Sequence, residues 1–449
     1  MGKISLKPAA YIFFLSFLFV GCNKEDNTYI EIGLDDELEE TLVSIYGSLD
    51  GITLPNSDAY QKIPADPNNK ITKEKVALGK LLFHETALAT NPKQEESMGT
   101  YSCASCHHSK AGFQSGMKQG IGEGGIGFGF MGETRKMAPN YDASNVDVQP
   151  LRSPTILNTA YQDVMLWNGQ FGATGTNKGT EAQWTIDTPK EKNNLGFQGL
   201  ETQAIAGLGV HRLKMDAEML KNNNTYKSLF DDAFPEVPEN DRYSLINGAL
   251  AIAAYERTVL ASEAPFQKWL KGKANTMNEN DKNGAILFFG KAKCYTCHSG
   301  PGLNGMDFHA LGMADLEGTD VIGDIKDADK KGRGGFTKNP EDDYKFKTPT
   351  LYNLRDLKFL GHGGSFMSIK EVIEYKNLAI AQNNEVPSDK LSPLFIPLGL
   401  STEEIQQLTS FVENSLYDDN LQRFAPESLP TGQCFPNADA QSKIDMDCN

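Results

Sequence analysis

Two copies of one five-residue pattern constrain this chain more than anything else in it. Cys103-Ala104-Ser105-Cys106-His107 and Cys294-Tyr295-Thr296-Cys297-His298 both read C-x-x-C-H. With seven cysteines and seven histidines in 449 residues, composition alone would supply on the order of 0.002 copies of this signature. The spacing lets two thiols form thioethers to one porphyrin while the adjacent imidazole faces its iron. A zinc site made of four cysteines would need the two pairs to converge and would leave both histidines unexplained. A redox dithiol would need a βαβ setting that the sequence lacks. The chain is therefore expected to carry two covalently bound haem c groups. Cys103, Cys106, Cys294 and Cys297 attach them, and His107 and His298 each ligate one iron.

The rest of the pattern suits a fold that wraps a large cofactor. Apolar residues recur at helical spacing over 73–83, 226–234, 243–260, 280–289, 369–376 and 402–417. Thr402-Glu403-Glu404-Ile405 supplies a start signal for the last of these. Clear β alternation is scarce, and residues 116–132 and 300–335 are Gly-rich and irregular. The class predicted is mostly α, with two cytochrome c-like haem domains and long irregular loops. Lys80-Leu81-Leu82-Phe83 precedes Cys103 as Ala285-Ile286-Leu287-Phe288 precedes Cys294, a weak internal repeat. The division expected is a haem domain over 66–250, a second over 251–425, and a tail over 426–449. Gly120, Gly122 and Gly125 satisfy G-x-G-x-x-G, but without the flanking strand and helix they read as a flexible loop over the first haem.

Residues 1–21 read as an export signal, with Lys3 and Lys7 ahead of an uncharged run too short for a usual membrane span. It ends Phe19-Val20-Gly21-Cys22, which resembles a bacterial lipobox and implies lipidation at Cys22. Residues 22–65 read as an acidic, solvated tether, with a weak helix from Asp35. Asn23-Lys24-Glu25-Asp26 resembles a surface-export tag, so the expected place is the cell envelope, on the periplasmic side or the outer-membrane surface. In that oxidising setting Cys434 and Cys448 are expected to pair, a free pair being the alternative. Acids outnumber bases 59 to 43, for a net charge of −16. That excludes a nucleic-acid binder and allows a basic protein partner.

The motifs together resemble the bacterial di-haem cytochrome c peroxidase family, which includes MauG-type enzymes. The stretches that carry this are Leu78-Gly79-Lys80-Leu81-Leu82-Phe83, both haem motifs, Arg152-Ser153-Pro154-Thr155-Ile156-Leu157-Asn158, Leu166-Trp167-Asn168-Gly169, Ala254-Tyr255-Glu256-Arg257-Thr258, Phe308-His309, Phe346-Lys347-Thr348-Pro349-Thr350-Leu351 and Gly361-His362-Gly363-Gly364. The resemblance implies that peroxide meets the first haem and that electrons enter at the second. Trp167 takes the position of the bridging tryptophan, with a plain core role as the alternative. Gln203 matches an active-site glutamine. His211 stands where the family places an acid/base glutamate, and Arg212 is assigned to polarising peroxide. His211 could equally bond a haem propionate or be a sixth iron ligand. No histidine occurs in 142–149, where the family's first haem often finds a distal ligand, so that iron is expected to be open. His108 is read as a hydrogen-bonding or surface group. For the second haem the family position falls on Lys376. Tyr375 is taken as the ligand, with Met313 and Met367 as further candidates and His309 and His362 in support. A family calcium site is disfavoured here, because Arg152 and Phe359 replace its asparagine and proline and a guanidinium repels a cation.

The function these features imply is reduction of hydrogen peroxide to water with electrons from a small donor, a cytochrome or cupredoxin-like protein. The alternatives are a MauG-like oxidase modifying a partner protein and a non-enzymatic two-haem electron carrier. The other partners expected are the membrane, through the lipid anchor, and a second copy of the chain in a homodimer.

Overall fold

In the computed structural model, residues 1–2, 33–215 and 217–448 are described. The export signal and Cys22 lie outside the described residues. The longer helices are α1 (Leu34–Tyr46), α2 (Lys73–His84), α3 (Gly199–Val210), α4 (Asn224–Ala233), α5 (Leu245–Arg257), α6 (Pro265–Leu270), α7 (Glu279–Phe289), α8 (Ile369–Leu378) and α9 (Thr402–Ser410). Caps start many of them. Thr72, Ser244, Asn278, Ser368 and Ser401 each accept a backbone N–H of the first turn. Among the described residues, strand structure is limited to two short antiparallel ladders, β1 (Gly125–Ile126) with β2 (Lys136–Met137) and β3 (Phe308–His309) with β4 (Phe346–Lys347). The remainder is shorter helices, 3₁₀ turns and loops.

Helix α5 is the centre of the first half. Its Ala-rich sequence is buried from Asn247 to Arg257, as a helix apolar all round must be. Helix α2 crosses it at Gly79, where a Cβ would run into the carbonyl of Ala251. The second half repeats the device, since a Cβ on Gly284 of α7 would run into the carbonyl of Gln407 of α9. Glycine is needed at both positions because backbone meets backbone. Each crossing lies just ahead of a C-x-x-C-H turn.

Three expectations change. The acidic segment is not all tether. Leu38 and Leu42 of α1 are buried while its acids face outward, and Asp35 holds Trp269 Nε1 (2.6 Å) and Lys282. The border at 250/251 falls inside α5, and Leu34–Asn449 form one compact unit. The glycine-rich loop over the first haem turn is packed, not open: a Cβ on Gly120 would come within 3.0 Å of Cys106 Sγ and 2.6 Å of Ser153 Oγ. Helix α3, which carries Gln203, was not foreseen. It ends Ala-Gly-Leu-Gly-Val and buries several sides, so it shows no amphipathic stripe.

Candidate functional site

The two motif turns are built alike. Each is a 3₁₀ turn, Cys103–Ser105 and Cys294–Thr296. The backbone N–H groups of Cys106 and His107 both donate to Cys103 O, and those of Cys297 and His298 to Cys294 O. All four thiols are free. His107 Nδ1 donates to Phe113 O (3.3 Å). His298 Nδ1 donates to Leu303 O (3.3 Å) and Pro349 O (3.0 Å). A carbonyl can only accept, so Nδ1 carries the proton and Nε2 keeps its lone pair for a metal. Burial pushes both imidazoles down to about 4, so both are neutral. Among the described residues no cluster of three or more His, Cys, Asp or Glu could hold a metal, which removes the zinc alternative. The chemistry fits haem c at both turns.

The frame behind each histidine repeats as well. Thr155 Oγ1 donates to Gly112 O and Thr350 Oγ1 to Gly302 O, at 2.7 and 2.6 Å. Phe113 and Leu303, and then Asn158 and Asn353, share positive φ. The signal was present in sequence as Ser153-Pro154-Thr155 against Thr348-Pro349-Thr350.

One continuous cavity joins the halves. Its wall includes His107, Gln203, Trp167, Arg152, Lys347 and His298. Trp167 Nε1 donates to Arg152 O (2.8 Å), and its ring meets His362 edge-on at 6.2 Å. His362 in turn stacks on Phe346 at 3.7 Å. Arg152 is buried and donates to Ser115 O and Met117 O. Burial pushes its guanidinium down to about 10. A cation already occupies those carbonyls. Lys347 is buried beside Gln162, and burial pushes its ammonium down to about 7. Neither cation has a salt-bridged carboxylate among the described residues, although buried charge normally has a partner.

His211 caps α3, and its Nδ1 lies 2.8 Å from Asp147 Oδ2. Burial works against its charged form, but the Asp147 carboxylate outweighs burial and raises its basicity. Arg212, expected to polarise peroxide, is anchored on its outer side. Its Nε is held by the buried Glu123 and its Nη2 by Asn145 O, which ties the guanidinium back to the loop. Glu123 also takes Tyr141 and the backbone of Lys93 and Gln94, a hub that no motif announced. His108 is neither a surface group nor a hydrogen-bonding one. It is buried on Phe128 at 4.9 Å with both ring nitrogens unpartnered.

Tyr375, taken as the second iron ligand, points elsewhere. Its hydroxyl donates to Leu311 O, and its ring packs between Phe366 and Phe395. Its neighbour Lys376 lines the cavity instead, and burial disfavours its charged form. Met367 is 54% exposed and is no candidate. Cys434 and Cys448 form a disulfide with Cα atoms 6.0 Å apart. The loop it closes lies against the first turn, where Pro436 O accepts from Ser102 Oγ (3.0 Å) and Ser105 Oγ (3.1 Å).

Residues 73–275 match the family described as Di-haem cytochrome c peroxidase. The chain is 29% identical to methylamine utilization protein MauG of Methylorubrum extorquens, over 79% of this chain and 81% of that one. It is 27% identical to cytochrome-c peroxidase IdrP1 of Pseudomonas sp. strain SCT, over 80% and 86%. The fold is similar to that of a MauG-like protein associated with microbial copper homeostasis, with a TM-score of 0.56 and 23% identity over 83% of this chain and 97% of that chain.

Proposed function

We propose that the chain works as a di-haem cytochrome c peroxidase, as the family match over residues 73–275 and the relatives support, and that its own residues divide the reduction of hydrogen peroxide to water. When bound, the haem at His107 supplies the iron that meets peroxide and the haem at His298 the point where electrons enter. The observation that carries this assignment is the pair of matching turns, each with an imidazole anchored at Nδ1, on one cavity with Trp167 in its wall.

Asp147 holds His211 by Nδ1, which fixes the tautomer and leaves Nε2 to move a proton from one peroxide oxygen to the other. Gln203 faces the cavity from α3 and would donate its amide N–H to the leaving hydroxide. Arg212 acts one step back, by tying the end of α3 to Glu123. Trp167, held at its indole nitrogen and touching His362, offers an extended π-system between the halves. Arg152 and Lys347 are the buried cations that would hold the porphyrin carboxylates, which also makes calcium unnecessary at Arg152.

The donor in this reading is a small cytochrome, with a cupredoxin-like protein filling the same role. The chain's place is the cell envelope, held by a lipid on Cys22, facing the periplasm or exposed on the outer membrane. What supports this placement is the signal-like pattern of residues 1–22 alone.

The test is an optical titration of the fully oxidised, two-haem protein with stoichiometric hydrogen peroxide. An immediate change is expected, because no histidine in 142–149 closes the first iron. A change that appears only after one-electron reduction would place a sixth ligand there and overturn the open-site reading. Silence in both states would overturn the peroxidase assignment in favour of a two-haem electron carrier.

A further inference from the structure

Helix α8 presents a single stripe to the cavity. Ile369, Val372, Ile373 and Lys376 line it, at the i, i+3, i+4, i+7 spacing of one helical face. Three positions are apolar and the last is an amine. The same cavity wall contains Cys294, Cys297 and His298. Among the described residues Lys376 has neither an ion pair nor a hydrogen bond; its Nζ stands over the face of Phe395 at 5.2 Å, with the Cys294 and Cys297 thiols as electrostatic neighbours. A lysine that ends an apolar stripe in a cofactor cavity, with no carboxylate to meet it, lacks the partner that buried amines require. Tyr375, one residue before, is rotated off the stripe and spends its hydroxyl on Leu311 O.

The first half is built differently at the matching place. Helix α3 offers Leu200 and Gln203 to the cavity, and the same face continues to Gly207. That face ends at His211, whose Nδ1 is held by Asp147. One half thus ends in an amine without a carboxylate where the other ends in an imidazole tied to one.

We propose that Lys376 is the second axial ligand of the haem held by Cys294, Cys297 and His298. The amine gives up its proton to solvent and donates its lone pair to the iron opposite His298. The consequence is an asymmetric pair: a closed second iron that passes electrons, and a first iron left open for peroxide. This rests on the assignment of a haem to the second turn. A nitrogen ligand also sets the second haem apart from one closed by methionine, which holds a higher potential.

The test uses the full two-haem protein, in wild type and as Lys376→Met, Lys376→Ala, Tyr375→Phe and His309→Ala. Intact mass counts the haems. Low-temperature EPR, near-infrared magnetic circular dichroism and a redox titration then read the second iron. Wild type is expected to show one low-spin haem with an amine–imidazole signature and no methionine-to-iron band. Lys376→Met should gain that band and raise that haem's potential. Lys376→Ala should turn one of the two haems high-spin, and Tyr375→Phe should leave the signature as it was. The proposal is overturned if both Lys376 variants keep the wild-type spectrum and potential. It is also overturned if the low-spin signal is lost in Tyr375→Phe or in His309→Ala, whose Nε2 is the rival buried nitrogen. A mass with fewer than two haems would overturn the second-haem assignment itself, a failure separable from the others.

Discussion

Asp147 decides what His211 can do. Its carboxylate raises the imidazole's basicity against the pull of burial, so removing the charge must move the titration down. Asp147→Asn is therefore expected to shift the His211 limb of the pH profile of kcat/KM for peroxide to lower pH. An unmoved limb would remove His211 from the proton path. The sign for stability follows from the same direction. The folded state binds this proton more tightly than the unfolded chain, so the pair's contribution is complete below the ordinary imidazole range and fades as pH climbs through the raised value. At this scale the sequence was legible where chemistry is carried by residue type. His107, His298, Trp167 and Gln203 all lie on the wall of one cavity. It was not legible where a partner is distant: Arg212 looks available until Glu123, 89 residues away, is found holding it. Asp147 sat in a stretch valued only for its lack of histidine. Tyr375 and Lys376 were hard to tell apart because neighbours on a helix differ by about 100° in direction, and direction cannot be seen before the helix is placed.

Elements with a one-sided apolar stripe were the easy part. α2, α4, α5, α7, α8 and α9 all begin within about three residues of where periodicity put them. Helix α3 escaped because burial on several sides erases periodicity. The crossings make a sharper claim. In an isolated helix, Gly→Ala gains about 1 kcal/mol. At Gly79 the added methyl meets Ala251 O of α5, so overpacking should reverse the sign and cost about 1–3 kcal/mol. Gly209 of α3 has nothing within 4 Å, and alanine there should be neutral or favourable. Denaturant unfolding of both variants, with the haems attached, checks the contrast. Equal effects at the two positions would mean that the α2–α5 crossing is looser than described.

At the scale of the whole molecule, charge and chain order matter more than any contact. The net charge of −16 favours a basic donor, so turnover with a basic cytochrome should fall as ionic strength rises. Steady-state rates across a salt series measure this, and a flat response would argue that docking is apolar. The repeat of two halves was visible as two motifs, but the compactness that joins them was not, because α5 runs through the border expected between them. The far end of the chain carries a last consequence. Ribosomes build proteins from the amino end, so the turn with Cys103 and Cys106 exists long before its cover. Pro436, which takes the hydroxyls of Ser102 and Ser105, follows them by 334 and 331 residues. The serine face of that turn therefore stays bare until the tail arrives, and the tail is the last piece to close on it.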